Sequence, residues 1–467
     1  MALDTLTLRR ALRAPARPIR VGETTLELLD EWQPALLTAV AATCIVSVFI
    51  SELLLALAGL MFLVRLAAGR TKFPSLAINV PIIAFGVWTV LSASFSDDPV
   101  GAHQAAKKLV LFAVLWIAVD SLGKRAQRER LVDAALLGTV VLGIGCIVQY
   151  YLLGFDTLNQ RPIGFLGHYM TAAGLSMAGI VLAVARLVFW RSEDTRPGRR
   201  DWLAIGIVGL CMGAIALVGH FDLVSTQAQR GVLACGLTVA GIGLARGSWG
   251  GRGMSALLAM LAAPICAWSL LVSQTRSAWL GTLVGLAIVF FLWAPRMLLL
   301  LPAGVLVILA VGPKPVLDRL TITDDSSRDR YYMWQAGIDM IAERPIFGVG
   351  PGQVEPVYSR YRWQAAPNAS APHLHDNAVQ IAAERGLPGL ALWIWMVFVA
   401  MKDALDQARL GRRGPGWVAV AALASWVAVM AGGLFEYNFG DSEIFILLLL
   451  ITALPYGLRR EREAAPT

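Results

Sequence analysis

The chain carries little charge for its length. Only 15% of its 467 residues are Asp, Glu, Lys or Arg, whereas 57% are hydrophobic. Soluble globular proteins carry about 25% charge, so a soluble multidomain protein is excluded. The net charge of +8 does not indicate nucleic-acid binding, because the basic residues form short clusters between apolar segments, where membrane topology signals occur.

Three further absences narrow the possible functions. The five cysteines lie in or beside apolar segments without CxxC or Cys/His ligand spacing, so they are expected to be small core residues. No Walker motif is present, which excludes a P-loop ATPase. Carboxylates inside the apolar segments are scarce and no internal repeat is found, which argues against coupled transport.

The apolar segments predict membrane-spanning helices. About fourteen occur, with an error of two because short neighbouring segments could form hairpins. They lie near residues 34–49, 51–67, 76–94, 107–120, 131–152, 170–189, 201–219, 230–245, 253–272, 277–294, 296–312, 387–404, 416–434 and 444–457. The expected fold class is an all-α polytopic membrane protein with about 12–14 transmembrane helices and one long polar loop.

Basic residues between the spans predict the topology. Clusters such as Arg65, Arg70 and Lys72 fall on one side if the spans alternate, and the positive-inside rule makes that side cytoplasmic, together with both termini. No cleaved leader is expected, because several arginines precede the first apolar stretch. The predicted regions are a basic cytoplasmic arm (1–33), a helical bundle (34–312), a periplasmic loop (313–386), C-terminal helices (387–458) and a cytoplasmic tail (459–467).

The polar loop is too long for a simple connector and is expected to carry a site. It contains an amphipathic stretch at 330–343, a Gly-rich turn at 347–352, an aromatic stretch at 358–363 and a predicted helix at 376–385. The Gly-rich turn is expected to be structural, because no βα context makes it a nucleotide loop. The aromatic stretch could stack on a sugar, lie at the membrane interface or simply pack.

The densest polar cluster is His373-Leu374-His375-Asp376-Asn377, at the end of that loop. A histidine here can take a proton near neutral pH. Two structural alternatives stay open at this point: a solvated pair of loop histidines, or helix capping by Asp376 or Asn377. A metal site is not predicted, since histidines at i and i+2 do not share a helix face and no third ligand shows a suitable spacing.

Three arginines lie on the predicted outer side, against the positive-inside bias. They are Arg161, Arg230 and Arg276, each near the end of an apolar span. Guanidinium groups bind phosphate oxygens bidentately and keep their charge, so these residues suit a phosphate-bearing ligand. The alternative for Arg276 is a side chain that snorkels to the membrane interface.

Several motifs together resemble the O-antigen ligase and O-antigen polymerase superfamily. Thr275-Arg276-Ser277-Ala278-Trp279-Leu280-Gly281 is similar to its SR-x-A-x-x-G segment, and Arg330 to Trp334 with Arg344 to Gly350 is similar to its R-x-x-x-W and PxxGxG segment. His375 with Asn377, Gln380, Glu384, Gly386 and Gly389 resembles its HN-x-x-x-Q-x-x-x-E-x-G-x-x-G signature. The chain departs from that signature at Asp376, which separates His375 from Asn377. The spacing to Glu384 selects His375 over His373.

This resemblance implies a GT-C-like glycosyltransferase of the bacterial inner membrane whose site faces the periplasm. The implied donor is an O-antigen on undecaprenyl diphosphate, and the implied acceptor is a sugar hydroxyl of lipid A core. His375 is the expected general base and Arg276 the first stabiliser of the leaving diphosphate. Arg161, Arg230 and His373 are further substrate-binding candidates, and Arg330 is either a phosphate ligand or a helix cap. No cofactor or metal is expected, and direct displacement would invert the anomeric centre.

Alternatives to lipid A core ligation remain. An O-antigen or exopolysaccharide polymerase and a protein O-oligosaccharyltransferase share the donor and differ in the acceptor, whose site has no readable sequence code. A non-catalytic transporter of lipid-linked glycans would bind diphosphate without reacting. We rank the ligase first by analogy with the family.

Overall fold

The computed structural model describes residues 21–189, 252–311, 317, 319, 325–412 and 414–464, and its secondary structure within these ranges is helical. The predicted spans near 201–219 and 230–245, together with Arg230, lie outside the described residues. Of the five cysteines, Cys44, Cys146 and Cys266 are buried and free, as expected for core residues.

Seven α-helices form the first described part of the chain. They are α1 (Glu23–Thr43), α2 (Val48–Ala67), α3 (Asn79–Ser94), α4 (Pro99–Ala106), α5 (Ala113–Ser121), α6 (Arg125–Leu152) and α7 (Tyr169–Phe189). A 3-10 segment, Lys107–Phe112, joins α4 to α5.

Eight α-helices follow in the remaining described residues. They are α8 (Arg252–Val272), α9 (Arg276–Trp293), α10 (Leu300–Val311), α11 (Asp325–Glu343), α12 (Val354–Tyr361), α13 (Asn377–Leu410), α14 (Trp417–Gly432) and α15 (Ser442–Ala464). Nine helical segments of the described chain are long and apolar enough to cross a membrane. The predicted all-α polytopic fold is thereby confirmed.

Helix α1 begins at Glu23, eleven residues before the predicted first span, and ends at Thr43. Hydropathy alone missed this start because the first turns are acidic. The charges are paired: Asp30 lies 2.6 Å from Arg65 and 2.9 Å from Arg70. At the other end of the chain, α15 extends through most of the predicted tail to Ala464, where Arg459 and Glu463 form an i,i+4 pair at 2.7 Å.

Close packing between two helices sets the position of Arg276. Helix α9 packs against α14 through small residues. A Cβ added at Gly281 would stand 2.6 Å from the carbonyl oxygen of Ala428, so only glycine permits this approach. The packing holds the first residue of α9, Arg276, beside the connection that leaves α14.

The long polar loop has a small hydrophobic core of its own. Its members come from α11, α12, the loops that follow each of them and the start of α13: Met333, Ala336, Met340, Val349, Val354, Val357, Tyr358, Ala371, Leu374 and Ala383. Helix α11 begins at Asp325, five residues before the predicted amphipathic stretch. A packed core of this kind holds the residues before α13 in a defined position.

Candidate functional site

His375 precedes the N-cap of α13. The carboxylate of Asp376 accepts a hydrogen bond from the backbone nitrogen of Val379 at 2.8 Å, so Asp376 is the helix cap and the predicted alternative of capping is correct for that residue. His375 itself has φ 51°, a left-handed conformation that a non-glycine residue adopts at a cost. Strained residues cluster at functional sites because the surrounding structure must hold them.

The partner of His375 is Glu436, a residue that the sequence analysis did not single out. The Nδ1 atom of His375 lies 2.9 Å from Oε2 of Glu436. Glu436 is 6% exposed and stands in the short connection between α14 and α15. The only sequence signal was an acidic residue in a short connection between two apolar helices, which is too common to predict a site.

The charge of Glu436 sets which tautomer a neutral His375 adopts. Burial acts to raise the pKa of Glu436, but the hydrogen bond from His375 and the charge of Arg330 lower it below its usual value. The carboxylate is therefore ionised at neutral pH and can only accept, so Nδ1 of His375 carries the proton. The Nε2 atom of His375 is left as the basic nitrogen.

His373 lies against the same carboxylate. Its Nε2 atom is 3.7 Å from Oε1 of Glu436, and its ring packs edge-on to that of His375 with centroids 4.2 Å apart. Burial, opposed by Glu436, lowers the pKa of His373 to about 4. His373 is thus neutral at pH 7 and adds no charge to the site.

The other residues of the predicted signature hold the His375–Glu436 pair in place. Asn377 donates to the side-chain oxygen of Asn438 at 2.8 Å and accepts from the backbone of Phe439 at 3.1 Å, which ties α13 to the connection carrying Glu436. Gln380 accepts from the backbone of Leu374 at 2.7 Å and fixes the turn before His375. These contacts give the signature a positioning role.

The Gly-rich turn is structural, as expected, and its glycines permit close backbone approach. Gly350 donates to the carbonyl of Glu384 at 2.9 Å. Gly348 and Gly386 both have positive φ, and a Cβ on Gly386 would lie 2.0 Å from the carbonyl oxygen of Ile346. The turn thus locks the kink at which α13 changes direction.

The aromatic stretch after this turn does not form a sugar platform at Tyr358, which is 1% exposed and lies in the core of the loop. Trp363 remains accessible and donates to Asp339 at 3.0 Å. Of the three predicted alternatives, packing is correct for Tyr358.

Four arginines gather beside the His375–Glu436 pair: Arg161, Arg276, Arg319 and Arg330, here called the arginine cluster. Burial, and then the charges of Arg276, Arg161 and Arg330, lower the pKa of Arg319 to about 10. Burial, and then the charges of Arg330 and Arg276, also lower the pKa of Arg161. Each guanidinium still carries its charge at pH 7, so the cluster is a strongly positive region.

Each member is held by a different element. Arg276, the first residue of α9, donates to the hydroxyl of Ser327 on α11 at 2.9 Å. Arg161 donates to the carbonyl of Leu158 at 3.0 Å, and its guanidinium lies 4.2 Å from the ring centroid of Tyr169. Arg319 was not singled out from the sequence, where it is one of several basic residues in a polar stretch.

Arg330 lies in the second turn of α11, so the predicted capping alternative is wrong because the helix begins at Asp325. Its guanidinium stands 4.0 Å from Oε2 of Glu436 and joins the cluster to the His375–Glu436 pair. His168 lies near enough to both groups for their charges to act on it. Burial lowers its pKa, the charge of Glu436 opposes this, and His375 and Arg161 lower it further.

His373, His375 and Glu436 also form a set of potential metal ligands, with ligand atoms within 4.8 Å of one another. The donor types suit zinc. Two features oppose this use: Nδ1 of His375 is engaged with Glu436, and the neighbouring arginines would repel a cation. The arrangement fits an anionic ligand better than a divalent metal.

Comparison with known proteins is consistent with this geometry. The sequence model of a family described as O-antigen ligase matches residues 261–394, which include Arg276, Arg330 and His375. Over these residues the chain is similar to the O-antigen ligase superfamily. Members of this superfamily are polysaccharide ligases and polymerases.

Three rickettsial relatives, each named "Putative polysaccharide ligase", extend the match. The protein of Rickettsia bellii is 26% identical over 154 residues, covering 30% of this chain and 35% of the relative. That of Rickettsia conorii is 28% identical over 102 residues, covering 20% of this chain and 24% of the relative. That of Rickettsia felis is 21% identical over 355 residues, covering 74% of this chain and 72% of the relative. The chain thus spans about a third and a quarter of the length of the first two relatives.

Proposed function

We propose that the protein is an O-antigen ligase. It transfers an O-antigen glycan from undecaprenyl diphosphate to a sugar hydroxyl of lipid A core, at the periplasmic face of the bacterial inner membrane. The observation that carries the proposal is the His375–Glu436 pair beside a cluster of four arginines. A base that can accept a proton and a region that can hold a diphosphate are the two parts this reaction needs.

The reaction assigns a role to each part. His375 Nε2 takes the proton of the acceptor hydroxyl as its oxygen attacks the anomeric carbon from the face opposite the diphosphate. The bond between that carbon and the diphosphate oxygen breaks, and the electron pair leaves with the diphosphate. Inversion of the anomeric centre follows. Glu436 holds His375 in the required tautomer and stabilises the imidazolium that forms.

The arginine cluster stabilises the departing diphosphate. Arg276 is its first contact, and Arg161, Arg319 and Arg330 add positive charge around it. Because guanidinium groups already supply this stabilisation, the reaction needs no divalent metal.

An apolar cavity of about 370 Å³ supports this placement of the donor. It lies between α7, α8, α9 and α10, and its lining includes Trp279 and Thr282, one and two helical turns from Arg276. A polyprenyl chain in this cavity would bring its diphosphate to the arginine cluster.

The test is glycan transfer by the purified protein from an undecaprenyl-diphosphate donor to lipid A core, with chelator present. Wild type should transfer, and both His375→Ala and Arg276→Ala should lose transfer while remaining folded. Matched controls are His103→Ala and Arg360→Ala, which remove an exposed histidine and an exposed arginine outside the site. Both controls should transfer as wild type does.

The outcomes separate the alternatives. Donor chains that lengthen on one another while lipid A core is ignored would favour an O-antigen or exopolysaccharide polymerase. Transfer to a protein acceptor would favour an O-oligosaccharyltransferase. Donor binding without any transfer would favour a transporter, and equal loss in the control variants would remove the assigned roles of His375 and Arg276.

A further inference from the structure

A second cavity reaches the site at His373. Its volume is about 300 Å³, and its lining combines His373, Tyr437 and Asp441 with apolar rings such as Phe439. Among the described residues, no member of the arginine cluster lines it. The Nδ1 atom of His373 is buried and has no hydrogen-bond partner in the described part of the chain. A buried polar atom in this state favours a polar ligand in the cavity.

An apolar groove of about 730 Å³ adjoins this polar cavity. It runs between α2 and the segment 107–117, and its lining shares Lys108, Leu111 and Ser442 with the polar cavity. The groove has an open side, because Leu60, Leu63 and Val110 are exposed along it. In a membrane this open side faces lipid.

The depth of the groove matches one leaflet of a bilayer. On α2 its lining extends from Glu52 to Leu63, which is about 16 Å at 1.5 Å per residue. The hydrocarbon core of a bilayer is roughly 30 Å thick, so the groove spans about half of it. The far end is closed by the rings of Phe73 and Trp116, whose centroids are 5.1 Å apart.

Charged side chains lie at the end of the groove that is nearest the site. Lys107 and Lys108 stand there exposed, with Glu52 opposite, so the rim carries a net positive charge. Lys108 donates to the carbonyl of Gly440 at 3.0 Å, next to Asp441 of the polar cavity. A lysine at this junction can reach an anionic group placed between an acyl chain and a sugar.

We propose that the groove and the polar cavity together form the binding site for a membrane-resident acceptor glycolipid. Acyl chains of an anionic glycolipid lie in the groove, its phosphate is held by Lys107 and Lys108, and the sugar to be modified enters the polar cavity beside His373. The donor and the acceptor then approach His375 through different cavities. The inference rests on the proposed transfer reaction and adds that the acceptor is recognised through its lipid.

Gly59 offers a direct test, since it lines the groove. A Cβ there would stand 3.6 Å from Ile117, so a side chain fits at its base, and a tryptophan would then fill the groove. Gly86 on α3 supplies the matched control, because a Cβ there meets nothing within 4 Å and it lines neither cavity. The acceptors compared are lipid A core and its deacylated core oligosaccharide.

Gly59→Trp should raise the KM for lipid A core about tenfold or more, since displacing two buried methylenes already has this effect. The KM for the deacylated oligosaccharide, the KM for the donor and kcat should stay as in wild type. Gly86→Trp should change none of them. An equal KM change for both acceptors, or no change for either, would contradict the proposal. A raised donor KM would assign the groove to the polyprenyl chain.

Binding measured without turnover separates this inference from the proposed reaction. Native mass spectrometry of the full-length protein with lipid A core should show weaker binding in Gly59→Trp and unchanged binding in Gly86→Trp. If wild type transfers no glycan but this difference appears, the reaction is wrong and the glycolipid site stands. If phosphatidylglycerol binding falls as much as lipid A core binding, the groove holds bulk lipid and the inference is wrong.

Discussion

The two ends of the helix bundle use arginine in different ways. At the end away from the site, arginines contact carboxylates: Arg65 lies between Asp30 and Asp120, and Arg128 contacts Glu461. At the site end, Arg161, Arg276, Arg319 and Arg330 lie near one another, and burial, followed by the charges of the other three, lowers the pKa of Arg319. Removing one partner of a buried pair of opposite charges leaves an uncompensated charge and destabilises the fold. Like charges held together by the fold cost stability, which indicates a region arranged for an anion.

The largest effect is expected on catalysis at His375. His375→Ala should reduce kcat by about 10²- to 10⁴-fold, because it removes the general base. Its unfolding temperature should fall only slightly, since Glu436 loses one hydrogen bond but keeps Arg330 beside it, and the hydrogen bonds of Asp376, Asn377 and Gln380 do not involve His375. Transfer assays and thermal unfolding in detergent check both statements. A large fall in unfolding temperature with little change in kcat would make His375 structural.

A matched pair of arginine substitutions tests the contrast itself. Arg276→Gln should reduce transfer by about 10²-fold or more through lost stabilisation of the diphosphate, without destabilising the protein. Arg65→Gln should do the opposite, because it leaves the nearly buried Asp120 without its cation and costs roughly 3 kcal/mol. The prediction is tested by measuring the transfer rates and unfolding temperatures of the two variants side by side. If both variants lost transfer and thermal stability to the same extent, the proposed difference between the two ends of the bundle would be wrong.

Glu436→Gln should lower kcat by about 10²-fold, because the amide cannot stabilise the imidazolium of His375. The KM values for donor and acceptor should change little, since Glu436 acts through His375 and is a positioning residue. Glu436→Asp should recover part of kcat by restoring the charge. A loss confined to KM, or no recovery with aspartate, would argue against this role.

The smallest effect concerns Asp441, which accepts a hydrogen bond from Thr171 at 2.9 Å. Burial raises its pKa to about 7, from 3.8 in an unfolded chain. Between these values the folded protein keeps a proton that the unfolded chain releases, so stability falls as pH rises from about 4 to 7 and is level above it. Asp441→Asn should flatten this dependence in unfolding temperatures recorded from pH 5 to 8. An unchanged slope would mean that Asp441 is ionised throughout.

Several parts of the site could be predicted because their signals are local. Arg276 stands where an apolar span ends, and His375 belongs to a spaced signature whose other members prove to hold loops in place. Asp376 interrupts that signature without moving His375, since it serves as the helix cap. The glycines of the turn are required by close backbone contacts, which their spacing already suggested.

Glu436 and Arg319 could not be predicted, because each acts only through a contact made across the fold. Glu436 is 61 residues from His375 along the chain and meets it because Asn377 and Asn438 tie the two segments together. The start of α1 was missed for the same reason, since its acidic Asp30 is neutralised by Arg65 of α2 and by Arg70, which follows that helix.

The sequence by itself determined the all-α membrane fold, because runs of apolar residues must form helices to satisfy their backbone groups in lipid. It also indicated a resemblance to the O-antigen ligase superfamily and singled out His375 and Arg276 as candidate site residues. Only the tertiary structure decided that Glu436 orients His375, that four arginines share one region, and that a leaflet-deep groove adjoins the site. These are distances between segments far apart in the chain, and helix packing sets them.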